Sequence, residues 1–175
     1  MKRNGFILSI DPDISKSGVA LLDCAAGEFK RVEAMKFPEL VDLLALISDT
    51  KAQAGEDVVV VIEDSDSSTN WHLDNIVYER RLTTAGKIRK AAAIGRSAGL
   101  CHAVARMARE IAEHYGLEVV PMKPLRKIWR GTDGKISHEE AAQFMNGIPT
   151  RTSQDVRDSM LLAWCYADFP IRVKP

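Results

Sequence analysis

Four carboxylates in this chain stand where they could work together. Asp11 lies just past a short apolar run, Phe6-Ile7-Leu8-Ser9-Ile10, and Glu63 closes a second, Val58-Val59-Val60-Val61-Ile62. Asp155 and Asp158 are three residues apart in the first turns of a C-terminal helix, so they project from one face. If the two apolar runs are neighbouring parallel strands, Asp11 and Glu63 emerge at the same carboxyl edge, where open α/β sheets place their sites. Hard cations such as Mg²⁺ take oxygen ligands and bind through a few carboxylates plus substrate phosphate oxygens. Two such ions about 3.5–4 Å apart can activate a water and stabilise the leaving oxygen of a phosphodiester. Each acid also has a plain structural reading. Asp11 before Pro12 suits a strand-to-turn position, Glu63 a strand end, and Asp155 and Asp158 the positive end of a helix dipole. Asp13, Asp64 and Asp66 read as loop acids. It is the set, more than any single member, that points to metal-assisted chemistry.

The charge pattern fits the same idea. Lysine plus arginine number 24 and aspartate plus glutamate 24, a balance of zero that by itself argues against a nucleic-acid partner. The distribution is uneven. From Glu56 to Glu79 the charged residues are all acidic; from Arg80 to Arg109 they are all basic, including Lys87, Arg89, Lys90 and Arg96. Lys123, Arg126, Lys127, Arg130 and Lys135 form a second basic group. An acidic block followed by basic blocks suits a carboxylate site beside a phosphate-binding rim; two solvated faces of opposite sign are the alternative.

The elements that must position these groups can be read from periodicity. Residues 6–10, 18–23 and 29–35 predict three strands joined by connections too short for a parallel crossover, hence an antiparallel meander. Pro38 to Gln53 carries Leu40, Leu43, Leu44 and Ile47 at helical spacing and ends at Gly55. Residues 58–62 predict a central strand covered on both faces. Gly86 to Tyr115 reads as a long alanine-rich helix, residues 117–121 as a fifth strand, and Ser137 with Glu140 as a capping box opening another helix. Ser153 starts the last helix, running to about Asp168. The expected fold is α/β: a mixed five-stranded sheet, meander plus parallel βα units, with helices on both faces.

At 175 residues and 46% apolar composition the chain suits one soluble domain over 1–175. No apolar run reaches the roughly 18 residues of a membrane span, and no secretory signal is evident. Cys24, Cys101 and Cys165 form no metal or disulfide spacing and read as reduced, buried residues of a cytoplasmic protein.

The chain resembles the RuvC family of Holliday junction resolvases, within the RNase H-like nuclease superfamily. Ile7-Leu8-Ser9-Ile10-Asp11-Pro12-Asp13 with Ser17-Gly18-Val19-Ala20 is similar to the family's opening "GIDPG…TGyGv" segment, and Val60-Val61-Ile62-Glu63 to its second acidic strand. Gly95-Arg96-Ser97-Ala98-Gly99 resembles "GqaRG" in the long helix. Pro124 to Lys127 and Gly131 to Glu139 resemble "PsevKkaltGnGrAsKeqV", and Asp155 to Ala163 resembles "DaaDALAlA". These short matches fall in family order over nearly the whole chain. Two positions depart: Asp13 stands where the family has glycine, and His138 where it has a lysine near the DNA phosphates.

The resemblance implies an RNase H-like fold and a Mg²⁺-dependent endonuclease, with Mn²⁺ able to substitute. Asp11, Glu63, Asp155 and Asp158 would be its metal-binding and catalytic acids. The substrate would be a four-way junction or related branched DNA, nicked by a homodimer that could work with branch-migration machinery. Trp71 would stack on bases at the junction, while Lys87, Arg89, Lys90, Arg96, Lys127, Lys135 and His138 would contact DNA. Trp71 could equally pack in a core or interface, and Trp129 and Trp164 read as core. Small residues of the long helix, Ala91, Ala92, Gly95 and Gly99 among them, suit either a dimer surface or packing on the sheet. Two other functional classes remain in view: an RNase H-like module that binds branched DNA without cutting, and a fragment of an actin-like kinase. The kinase reading lacks the glycine at Asp13 and enough chain for two lobes.

Overall fold

The computed structural model describes residues 5–64, 79, 81–126 and 128–172; Trp71 and Lys127 lie outside the described residues. Strands β1 (Phe6–Asp11), β2 (Ser17–Asp23) and β3 (Glu28–Met35) form the expected antiparallel meander. The β1–β2 connection is held by Asp13, whose carboxylate accepts the Ser15 backbone N–H at 2.8 Å and the Ser15 hydroxyl at 2.6 Å. Such an Asx turn reverses the chain in a few residues. Helix α1 (Phe37–Ala54) follows. Pro38 sits in its first turn, and Gly55, at φ +67°, ends it by donating its N–H to the Lys51 carbonyl at 3.0 Å.

The helix returns the chain so that β4 (Val58–Glu63) lies parallel to β1. The long helix α2 (Thr84–His114) and β5 (Glu118–Met122) repeat that crossover, and β5 lies parallel to β4. The sheet order is β3-β2-β1-β4-β5, with β1 at its centre. A 3₁₀ turn (Thr132–Gly134), the short helix α3 (His138–Ala141) and helix α4 (Gln154–Tyr166) complete the fold.

Strand alternation sends successive side chains to opposite faces, giving the sheet two cores. On one face Ile7, Ala20, Leu22 and Val61 pack against Val156, Met160, Leu162 and Ala163 of α4. On the other, Leu8, Ile10, Val19, Val60 and Ile62 pack against Leu40 and Leu44 of α1 and Ala108 and Ala112 of α2. Helices thus cover both faces, as expected from the strand and helix order.

Some local expectations shift. The capping box at Ser137 forms: Ser137 N–H donates to Glu140 at 2.9 Å, and Glu140 N–H to Ser137 Oγ at 3.2 Å. The helix it opens spans only His138–Ala141. The chain leaves it to dock on β3, where the Phe29 N–H donates to the Asn146 carbonyl at 3.0 Å. A Cβ on Gly147 would fall 2.4 Å from the Phe29 carbonyl oxygen, so that approach needs glycine. Of the three cysteines, Cys24 is fully buried, while Cys101 and Cys165 are partly exposed. Burial pushes the Cys165 thiol up to about 11. Trp164 is core, as expected, and partly buried Trp129 stacks on Phe144 beside it, ring centroids 5.9 Å apart. No helix among the described residues is long and apolar enough to cross a membrane.

Candidate active site

Asp11 and Glu63 end adjacent parallel strands. Ile10 pairs with Ile62, so the next residues along, Asp11 and Glu63, stand side by side at the carboxyl edge. Parity decides which face they share. Ile7 and Ser9 on β1, and Val59 and Val61 on β4, face α4; Asp11 and Glu63 continue those series. Both acids therefore lie on the face where α4 begins, and Asp155 and Asp158 occupy its first turns.

Two contacts fix α4 there. Ser9 and Ser159 form a buried reciprocal pair: Ser9 Oγ lies 2.8 Å from the Ser159 carbonyl, Ser159 Oγ donates to the Ser9 carbonyl at 2.9 Å, and the two hydroxyls are 3.0 Å apart. Gly18, which pairs with Asp11 across the β1–β2 ladder, touches the start of the helix. A Cβ there would lie 2.0 Å from the Asp155 carbonyl oxygen and 2.8 Å from the Val156 nitrogen. The missing side chain lets the first turn of α4 rest on the backbone of β2.

The electrostatics agree with convergence. Burial and the charges of Glu63, Asp158 and Asp155 hold the Asp11 carboxyl well above the usual carboxylate range, with Lys135 pulling the other way. Burial and the Asp13 and Asp158 charges raise Asp155, again against Lys135. Burial works against the charged form of Asp13, but its hydrogen bonds from Ser15 and Lys16 outweigh that and lower it. Asp13, read from sequence as a loop acid, is the turn's acceptor, and its charge also acts on Asp155.

Lys135 enters this cluster. Its ammonium lies 2.7 Å from Asp158 Oδ2, while Gln154 Nε2 donates to Asp158 Oδ1 at 2.8 Å. Arg157 holds the segment that carries Lys135: its Nε donates to the Ile136 carbonyl at 3.0 Å and its Nη1 to the Thr152 carbonyl at 2.6 Å. His138 Nδ1 lies 3.1 Å from Thr152 Oγ1, so its ring braces this junction of segments.

The remaining expected contact residues lie on α2. Arg89, Lys90 and Arg96 are exposed and Lys87 is partly so; Lys90 pairs with Glu79 at 2.6 Å. Cys101 ties α2 to the site region. Burial, together with the Asp13 charge and against an Ile14 backbone N–H, raises its thiol. On the far side of Glu63, a cavity of about 350 Å³ opens between α2 and β4–β5, lined by Glu63, Asp64, His102, Arg106 and Arg109 among others.

The donor set suits a hard divalent cation: carboxylate oxygens from β1, β4 and α4. Among the described residues, however, no three of the acids, histidines or cysteines are gathered closely enough to ligate one ion. The donor chemistry fits a metal; the cation that engages Asp158 in this structure is Lys135.

No family model matches the chain. No curated protein matches it either. Among solved structures it is similar to T. thermophilus RuvC in complex with a Holliday junction substrate, at 12% identity, covering 94% of this chain and 93% of that one, with a TM-score of 0.52. The large terminase nuclease from thermophilic phage G20c aligns over 94% of this chain and 83% of that one, at 14% identity and a TM-score of 0.33, too low to bear on the argument. At such identity what is shared is the fold: a mixed five-stranded, RNase H-like sheet with helices on both faces.

Proposed function

We propose that this chain is a metal-dependent endonuclease that nicks four-way junctions or related branched DNA. What supports the reading is that Asp11, Glu63, Asp155 and Asp158, from three distant segments, lie at one edge of the sheet, near enough for their charges to act on Asp11. The similarity to a RuvC fold solved on a Holliday junction supports the choice of substrate. Bound Mg²⁺ or Mn²⁺ would supply an activated water and stabilise charge on the leaving oxygen. The chain's own residues do the rest. Asp11 and Glu63 provide oxygen donors from a rigid sheet edge, Asp155 and Asp158 provide them from α4, and Gln154 orients Asp158. Lys87, Arg89, Lys90 and Arg96 line a helix able to hold phosphates along the DNA backbone. The first half of α2 offers the exposed Ile88 and Leu100 with Ala91, Ala92, Gly95 and Gly99 to a second copy, which would set two sites on two opposing strands.

One observation favours a second reading. The Lys135–Asp158 pair would suit a module that binds branched DNA without cutting it. A labelled synthetic four-way junction, incubated with Mg²⁺ beside a linear duplex of the same sequence, separates the two. The endonuclease reading expects paired nicks in the junction only, reduced about 10³-fold by Asp11→Asn as several kcal/mol of transition-state stabilisation is lost, with junction binding retained. Tight junction binding by the unmodified chain with no nicking in Mg²⁺ or Mn²⁺ would establish the binding module instead.

A further inference from the structure

We propose that Lys135 is the resident cation of the carboxylate cluster: its ammonium holds the metal-free site together and must leave Asp158 before a divalent ion can be held there. The inference rests on reading the four acids as metal ligands and adds a competitor built into the chain. Lys135 is not a loose surface lysine. Its side chain is one-third exposed and that of Asp158 19% exposed, and the two meet at 2.7 Å. The segment that delivers it is anchored from both sides. The Lys135 N–H donates to the Thr132 carbonyl at 3.1 Å, and the next residue, Ile136, is fully buried and gives its carbonyl to Arg157. A Cβ on Gly131 would fall 2.3 Å from the Lys135 carbonyl oxygen, so the turn closes tightly under the lysine. Gln154 occupies the other oxygen of Asp158. One positive charge thus stands on Asp158, at the start of the helix that also carries Asp155.

A cation so placed compensates like charges that would otherwise repel one another across the strand-to-helix junction. A divalent ion and the ammonium then compete for one carboxylate, and the protein exchanges one counter-charge for another instead of leaving the acids bare. His138 does not serve instead, because it is engaged by Thr152.

The test uses Mn²⁺ on the full chain and needs no cleavage assay. Calorimetry is run on the unmodified protein, on Lys135→Met and on Asp11→Asn. In parallel, amine acetylation of the unmodified protein, read by mass spectrometry at Lys135, is compared with and without Mn²⁺. The proposal expects Lys135→Met to bind Mn²⁺ about tenfold more tightly, as loss of a competing charge pair implies. It also expects Lys135 to become several times more reactive when Mn²⁺ is present. If both proteins bind Mn²⁺ equally and Lys135 reactivity does not change, the resident-cation role is wrong while the ligand reading stands. If neither protein shows Mn²⁺ binding that Asp11→Asn abolishes, the metal-ligand reading falls and the proposal with it. Should Lys135→Met not fold, the labelling of the unmodified chain decides alone.

Discussion

Seven of the thirteen residues of α4 are buried, whereas α2, with thirty-one residues, buries only Ala108 and Ala112. The shorter helix is fixed to the sheet by a buried serine pair, by contact with the backbone of Gly18 and by an apolar face running from Val156 to Ala163. The longer one extends about 46 Å at 1.5 Å per residue, and its first half leaves Ile88 and Leu100 exposed beside Arg89, Lys90 and Arg96. The helix that carries the acids is held in place; the one that carries the basic residues leaves most of its surface exposed.

The comparison can be broken hardest at Gly18. A Cβ there must displace the start of α4, so Gly18→Ala should cost about 1–3 kcal/mol of stability, as overpacking does. Nicking should fall by about 10²-fold from misplacement of Asp155 and Asp158. Thermal unfolding and the junction assay check both. Ser159→Ala removes the hydroxyl that donates to the buried Ser9 carbonyl, while Ser9 Oγ keeps the carbonyls of residues 159 and 20, and should cost about 1 kcal/mol. The double variant with Ser9→Ala should cost less than the sum of the singles by a few tenths of a kcal/mol, the part carried by the contact of the two hydroxyls at 3.0 Å.

The acids give a pH test with a definite sign. Asp11 and Asp155 hold their protons more tightly in the folded protein than at the ordinary value of 3.8. The native state therefore binds more protons than the unfolded chain across that range, and metal-free stability falls as pH rises from 3.8 through the raised native values. Asp13 and Glu140 are lowered, so their contribution is present above the ordinary value and lost as pH falls through their folded one. Asp11→Asn should flatten the decline on the rising side, which urea midpoints across pH would read. The smallest effect on stability belongs to α2: Arg89→Gln with Arg96→Gln should shift unfolding by under about 0.5 kcal/mol. Junction binding should weaken, and its logarithmic salt slope should drop by roughly one for each phosphate that is no longer neutralised.

Much of the sheet was legible in the sequence because loop length and periodicity are local. Connections of a few residues force β1, β2 and β3 into a meander, and the β-branched run at 58–62 demands cover on both faces. The edge position of Asp11 and Glu63 follows from the same rules. What sequence reasoning missed depends on contacts between distant segments. Lys135 reaches Asp158 from a segment whose neighbouring Ile136 carbonyl is held by Arg157. Arg157 sits inside the Asp-x-x-Asp spacing, where nothing local distinguishes a clamp from a surface arginine. Gly18 reads as the first residue of a strand, and its role appears only when α4 arrives over it. The hydroxyls of Ser9 and Ser159, polar residues inside apolar runs, are the one signal that could have announced a partner.

That serine pair joins residues separated by 150 positions in the chain. Synthesis delivers β1 well before α4, so the central strand keeps one face bare until the segment that carries α4 exists. Closing so large a loop is a high-contact-order step, slow compared with forming the meander or the local crossovers. Asp155 and Asp158 arrive with that same step. The four acids therefore come together only once this long-range contact has formed.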